Sequence, residues 1–143
     1  TGLATWALAR AGQRMAVRRA AAFIRDAQAA DGGFPSLPGG DSNAQSTGLA
    51  LVALRVTGVG PRLRSGSGGT PLAFLASLSR RNGSIAYTAG SAPTPTWTTA
   101  QALLGLTSAR LLLRSDGSDR PAAPAAAARR DAPSRAARSP GSR

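Results

Sequence analysis

Residues 23–34 read FIRDAQAADGGF, an apolar helical pattern that closes on a glutamine, breaks at two glycines and restarts with an aromatic side chain. A related pattern returns further along the chain, where Phe74 stands in the place of Phe23. Gly83 likewise stands in the place of Gly32. Both pairs have the same offset, 51 residues, counted from 23 to 74 and from 32 to 83. A constant offset of this length is typical of helical repeats, so the sequence predicts a stack of helix pairs.

A second motif repeats at a similar interval. Residues 1–4 and residues 47–50 both read TGLA, an offset of 46, and a weaker copy, TAQA, begins 52 residues after Thr47, at Thr99. In-phase threonines, glycines and aromatic residues argue against a chance similarity of Ala- and Leu-rich segments. The predicted unit is an apolar helix, a short break, a second helix and a glycine-rich loop. We expect helices over residues 1–11, 14–30, 44–57, from 71 to about 79, and 97–113.

Two kinds of helix alternate in this prediction. The segment 14–30 has its apolar residues on one face, whereas Arg14, Arg18 and Arg25 fall together on the opposite side, so we expect a half-solvated helix. The segment 44–57 is apolar on every side, as is most of the last predicted helix, which predicts burial. An inner layer of apolar helices and an outer layer of amphipathic helices account for this alternation. The predicted fold class is all-α.

The composition restricts the chemistry. The chain has 143 residues, enough for one modest domain, and its 42% hydrophobic content with only 4% aromatic residues predicts a core of Ala, Leu and Val. It contains neither Cys nor His, which excludes disulfides, thiol nucleophiles, imidazole bases and the usual zinc ligands. The net charge of +12 is carried by arginines spread along the whole chain. Such a charge favours acidic partners in general without naming one.

The chain divides at about residue 113. We expect repeats over residues 1–113 and a disordered tail over residues 114–143, where the composition falls to Ala, Arg, Pro, Ser, Gly and Asp. No apolar run reaches the length of a membrane span, and no signal peptide is visible, so we expect no membrane span. Because Thr1 opens a repeat, we interpret the chain as a fragment. An exported or cell-surface location is compatible with these features, but the compartment stays open.

These residues resemble a known group of proteins. The spacing of Phe23, Gln28 and the Gly32-Gly33 pair is similar to the QW repeat of squalene and hopene cyclases, with Phe34 in the place of the usual Trp. The glycine pair, the following Asp and the next apolar helix also resemble the β subunits of protein prenyltransferases. The resemblance covers about residues 1–113. It implies an α/α toroid, here an incomplete one of about two and a half helix-pair repeats, a fold that non-enzymatic proteins also use.

The catalytic groups of those families are not matched. Prenyltransferase β subunits hold zinc with Asp-x-Cys and a later His. Here Asp41 matches the first ligand, but Asn43 replaces the thiolate and the chain has no His. Cyclases protonate their substrate with an Asp-rich run, whereas the aspartates of this chain stand singly and Asp31 fits a turn. We therefore expect no catalytic residue, no metal and no cofactor.

Polar and aromatic side chains at the ends of the apolar helices form the candidate site. In a toroid these ends surround the mouth of the inner ring, and a few polar groups over an apolar cavity are typical of ligand sites. The expected ligand is small and apolar or isoprenoid-like. The alternative is that the same side chains cap helices and pack loops. The candidate ligand-binding residues are Asp41, Asn43, Gln45, Tyr87, Trp97, Thr98 and Gln101.

Three functions stay open at this point. The first is a non-catalytic α/α-toroid module that binds a ligand or is displayed at the cell surface. The second is a C-terminal fragment of a terpene cyclase that acts on an isoprenoid. The third, suggested by the net charge, is a non-specific basic nucleic-acid binder, and we expect no specific nucleic acid as a partner. Because stacked repeats need neighbours, missing N-terminal repeats or self-association are further expected partners.

Overall fold

The computed structural model describes residues 1–60 and 63–107. This part of the chain contains helices and three isolated β-bridges, with no strand, so the all-α prediction is confirmed. The helices begin and end close to the predicted positions. They are α1 (Gly2–Arg10), α2 (Arg14–Asp26), α3 (Ala44–Val56), α4 (Pro71–Ser77) and α5 (Pro95–Leu106).

Helix α3 is the central element of the described structure. It contacts α1 and α5, and it also contacts α2 and α4. Helix α2 packs against α1 as well. The apolar helices α1, α3 and α5 therefore contact one another in succession, while the helices that alternate with them pack against this series.

Helix α3 is buried along most of its length. Asn43 begins it by accepting a hydrogen bond at Oδ1 from the Ser46 N–H at 2.8 Å, a standard N-cap. Leu51 and Leu54 are completely buried, and burial of each such side chain stabilises the fold by about 1.5–3 kcal/mol. The predicted burial therefore holds for most of this apolar helix, whereas Leu49 is only partly buried and Val56 at its end is 38% exposed. Its buried residues are Ala44, Thr47, Gly48, Ala50, Leu51, Val52, Ala53 and Leu54.

Two hydrophobic clusters repeat the same plan. The first joins Ile24 of α2, Phe34 from the loop after α2, and residues of α3. The second joins Leu75 of α4, Ile85 from the loop after α4, and residues of α3 and α5. Ile24 and Leu75 are 51 residues apart, as are Phe34 and Ile85. We name α2, residues 27–43 and α3 the first repeat, and α4, residues 78–94 and α5 the second repeat.

The turns of the two repeats share one hydrogen-bonding pattern. Asp31 Oδ1 accepts from the Gly33 N–H at 2.9 Å, and Asn82 Oδ1 accepts from the Ser84 N–H at 3.1 Å. In both turns the glycine between these residues has a positive φ, 87° in the first and 81° in the second, which explains why glycine recurs there. The turn predicted at Asp31 is confirmed, and the offset of 51 holds at the level of single hydrogen bonds.

A threonine of the following helix fixes each turn in place. The Phe34 N–H donates to Thr47 Oγ1 at 2.9 Å. The Ile85 N–H donates to Thr99 Oγ1 at the same distance. Thr47 and Thr99 are the threonines that begin the TGLA and TAQA motifs. The recurrence of these residues thus has a physical cause, since each satisfies a backbone donor of the preceding turn.

Some details differ from the sequence prediction. Helix α2 ends at Asp26 rather than near residue 30, because the Ala29 N–H already donates to the Gly33 carbonyl within the turn. Helix α5 begins at Pro95, a residue that favours the first turn of a helix. Phe23, expected on the packed face of α2, is 53% exposed. The predicted tail over residues 114–143, and residues 108–113 of the last predicted helix, lie outside the described residues.

Candidate functional site

The amino-terminal ends of α3 and α5 lie close to the loop that contains Tyr87. The Tyr87 carbonyl accepts a hydrogen bond from the Ala44 N–H at 2.9 Å, which fixes this loop at the start of α3. Helix α5 crosses α3 in close contact, since a Cβ added to Gly48 would lie 2.8 Å from Ala102 Cα. Five of the seven predicted site residues therefore occur on elements that contact one another. They are Gln45, Tyr87, Trp97, Thr98 and Gln101.

Three of these residues combine properties that suit a ligand. Trp97 is 61% exposed at the start of α5. Thr98 is completely buried, and its Oγ1 has no hydrogen-bond partner among the described residues. Gln101, one turn further along α5, holds a buried Oε1 that also lacks a partner within that part of the chain. A buried polar atom without a partner costs about 1–3 kcal/mol. A ligand that donates a hydrogen bond to either oxygen would therefore remove this cost when it binds.

Asn43 has a structural role. Its Oδ1 caps α3, and its Nδ2 donates to Ser36 Oγ at 3.0 Å, so both ends of the amide are already hydrogen-bonded. The zinc ligands that the prenyltransferase resemblance would require therefore do not fit, because this side chain is a committed helix cap and the chain has neither His nor Cys. Within the described residues no group of three or more potential metal ligands occurs.

Asp41 stands two residues before Asn43, the N-cap of α3. It is exposed and lines a groove of about 590 Å³ together with Asp31, Ala73 and Thr88. Asp31 is engaged there, since its Oδ1 accepts from Ser42 Oγ at 2.8 Å in addition to the Gly33 N–H. The two carboxylates thus share a groove, but one of them holds the turn together.

A third region, a cavity of about 580 Å³, lies between α2, the loop over residues 34–40 and the start of α3. Phe23, Phe34 and Leu49 supply much of its apolar lining, and Asp26 and Gln28 stand at its edge. None of the seven predicted residues lines it. The sequence contained no signal for this cavity, because Phe23 and Phe74 are equivalent in the repeat and only the structure shows that Phe23 is exposed.

Comparison with known proteins adds no further assignment, because no family model, no curated protein and no solved structure matches this chain. Among the described helices, none has the length and apolar character required to cross a bilayer.

Proposed function

We propose that this chain is a non-catalytic helical-repeat module that binds a small apolar or isoprenoid-like ligand, and that its helices are part of an α/α toroid. The toroid is supported by the succession of α1, α3 and α5 with α2 and α4 packed against it. The binding function rests on one observation above all. Helix α5 carries the exposed Trp97 together with two buried oxygens, Thr98 Oγ1 and Gln101 Oε1, that have no hydrogen-bond partner in the described part of the chain.

The chemistry of these groups selects the ligand. The indole of Trp97 offers a broad apolar surface, as expected for contact with a hydrocarbon chain. Gln101 Oε1 accepts hydrogen bonds and cannot donate them, so its ligand must bring an O–H or N–H group. Thr98 Oγ1 can serve as donor or acceptor. A prenyl alcohol meets both requirements, because its hydroxyl group can donate and accept. A diphosphate offers only acceptor oxygens, so Gln101 Oε1 would still have no hydrogen-bond donor.

The absence of a catalytic role is part of the proposal. A cyclase needs a protonated carboxyl group above its apolar cavity. Helix α5, which carries Trp97, contains no aspartate. Asp31, the nearest match to an acid at a turn, accepts two hydrogen bonds that stabilise the turn. Binding without turnover is therefore the function that these side chains support best.

The fluorescence of Trp97 tests this proposal. The chain has two tryptophans, so Trp6→Phe leaves Trp97 as the single reporter. Titration of this variant with geranylgeraniol should give a saturable change in emission, whereas geranylgeranyl diphosphate should bind at least about tenfold more weakly, the factor that corresponds to one hydrogen bond of about 1.4 kcal/mol. Trp97→Phe is the matched control and should show no such change. A helical Trp6→Phe protein with no saturable response would overturn the proposal.

A further inference from the structure

Phe23 and Phe74 occupy the same position in successive outer helices but have different surroundings. The two residues are 51 positions apart. Phe74 packs against the turn of the first repeat, where a Cβ added to Gly33 would lie 2.9 Å from the ring atoms Cγ and Cδ1 of Phe74. Phe74 also packs against the second hydrophobic cluster. Phe23 has no such cover and is 53% exposed, where it lines the 580 Å³ cavity.

Helix α1 has the same asymmetry. Its exposed alanines, Ala4 and Ala7, correspond at an offset of 46 to Ala50 and Ala53 of α3. Ala53 is completely buried and Ala50 nearly so, both within the first hydrophobic cluster. The surface formed by Phe23, Ala4 and Ala7 is therefore exposed at every position where its counterpart in the next repeat is covered. We call it the amino-terminal face.

We propose that the amino-terminal face is a docking surface for one further repeat of the same class, whose Asx-Gly-Gly turn lies on Phe23 as Gly33 lies on Phe74. The occupant is identified from within the molecule. Phe74 is packed against a turn in which an Asp accepts hydrogen bonds, Gly33 approaches the ring, and Gly32 approaches the backbone of Gly69 and Thr70 just before α4. A glycine is required there, because a Cβ on Gly33 would lie 2.6 Å from Ser42 Cβ and 2.9 Å from the ring of Phe74.

A second copy of this chain does not meet that requirement. Its uncovered turn carries Ser84 at the position of Gly33, and its last described helix carries Ala100 at the position of Gly48. Both substitutions add a Cβ where the first repeat has none. At Gly48 that Cβ would lie 2.8 Å from Ala102 Cα of the next helix, and at Gly33 it would meet Phe74. The carboxy-terminal repeat therefore lacks the glycines that a head-to-tail contact would need.

The repeat also fixes the number of residues between the docking turn and Thr1. Gly33 precedes Thr47 by 14 residues, and Thr47 corresponds to Thr1. A turn joined to this chain and placed to cover Phe23 would therefore lie 14 residues ahead of Thr1. The full chain extended by a copy of residues 28–46 directly before Thr1 reproduces this spacing and adds the Asp-Gly-Gly turn. Two control chains carry the same extension, one with Leu in place of the second glycine and one with the residues in scrambled order.

The measured quantities are the Tm of each chain and the change in Tm that Phe23→Ala causes. In the unextended chain Phe74→Ala should lower Tm by at least about 4 °C more than Phe23→Ala, because only Phe74 is covered. The extension should raise Tm by at least about 4 °C and make Phe23→Ala as damaging as Phe74→Ala, and both controls should lack this effect.

Three results would overturn the proposal. Equal decreases in Tm for Phe23→Ala and Phe74→Ala in the unextended chain would mean that Phe23 is already covered, whether or not the extended chain folds. An extension that folds but leaves Tm and the effect of Phe23→Ala unchanged would mean that the turn does not dock. A dimer of the unextended chain that Phe23→Ala dissociates would identify a second copy as the occupant.

Discussion

Gly48 of α3 and Gly105 of α5 lie against each other at the crossing of the two helices. A Cβ built on Gly105 would lie 2.8 Å from Gly48 Cα, and a Cβ built on Gly48 would lie 2.8 Å from Ala102 Cα. The backbones of α3 and α5 are therefore in direct contact, with no room for a side chain between them. This contact packs the carboxy-terminal half of α5 against the amino-terminal half of α3.

Alanine at this crossing should destabilise the protein. Gly48→Ala or Gly105→Ala forces the two backbones apart, and we expect a loss of about 1–3 kcal/mol in the free energy of unfolding, measured by urea denaturation. Gly66→Ala is the matched control, because a Cβ at that loop position meets nothing within 4 Å. Equal stability of the Gly48→Ala and Gly66→Ala proteins would contradict a close crossing.

The hydroxyl group of Thr47 should be required for the full stability of the protein. Thr47→Val keeps the shape of the side chain but leaves the buried Phe34 N–H without its acceptor, and we expect a loss of about 1–3 kcal/mol. Thr47→Ser retains the oxygen and should recover most of that loss. Chemical denaturation of both variants measures the difference. If valine proves as stable as serine, the hydrogen bond to Phe34 does not hold the turn.

Asp31 should be replaceable by Asn and not by Ala. Its Oδ1 accepts from the Gly33 N–H and from Ser42 Oγ, and Asn82 performs the first of these tasks in the second repeat. We expect Asp31→Ala to lower the free energy of unfolding by about 1.5–3 kcal/mol, the range for hydrogen bonds to charged groups, and Asp31→Asn to cost less than half as much. Urea denaturation checks both. A catalytic acid at this position would leave stability unaffected by either change.

Apolar replacements of Thr98 and Gln101 should weaken ligand binding without lowering the stability of the protein. Thr98→Val removes a buried oxygen without a partner, and Gln101→Leu removes another, so stability should be unchanged or higher by about 1 kcal/mol for each. The affinity for geranylgeraniol, measured by Trp97 emission in the Trp6→Phe background, should fall about tenfold for each variant. Loss of stability together with unchanged affinity would show that both side chains serve the fold alone.

Much of this architecture follows from the sequence, because its periodic features have local causes. The offset of 51 reflects paired turns built on Asp31 and Asn82, and the TGLA motif reflects a threonine that satisfies the preceding turn. The sequence also predicted the burial of most of α3, but the same prediction was wrong for α5, where Trp97 and Leu103 are exposed. The turns join residues two positions apart and the threonine contacts recur at 13 and 14 residues, so a repeating sequence pattern records both.

The exposure of Phe23 could not be predicted in this way. An apolar residue on the inner stripe of an amphipathic helix is normally covered, and only the packing of other elements decides whether it is. The split of the candidate site has the same origin. Asp41 and Asn43 stand two residues apart in polar loop sequence, yet Asn43 caps α3 whereas Asp41 lines a groove. Contacts between distant parts of the chain make this distinction.

The most direct test of the central claim, binding without catalysis, is one mass-spectrometric measurement. The full chain is incubated separately with squalene, geranylgeraniol and geranylgeranyl diphosphate, with and without Mg²⁺, and both the protein-bound and the free compounds are identified. We expect geranylgeraniol to remain bound to the protein and to be recovered chemically unchanged. Recovery of a cyclised product, or the absence of any retained compound from a folded helical protein, would contradict the account.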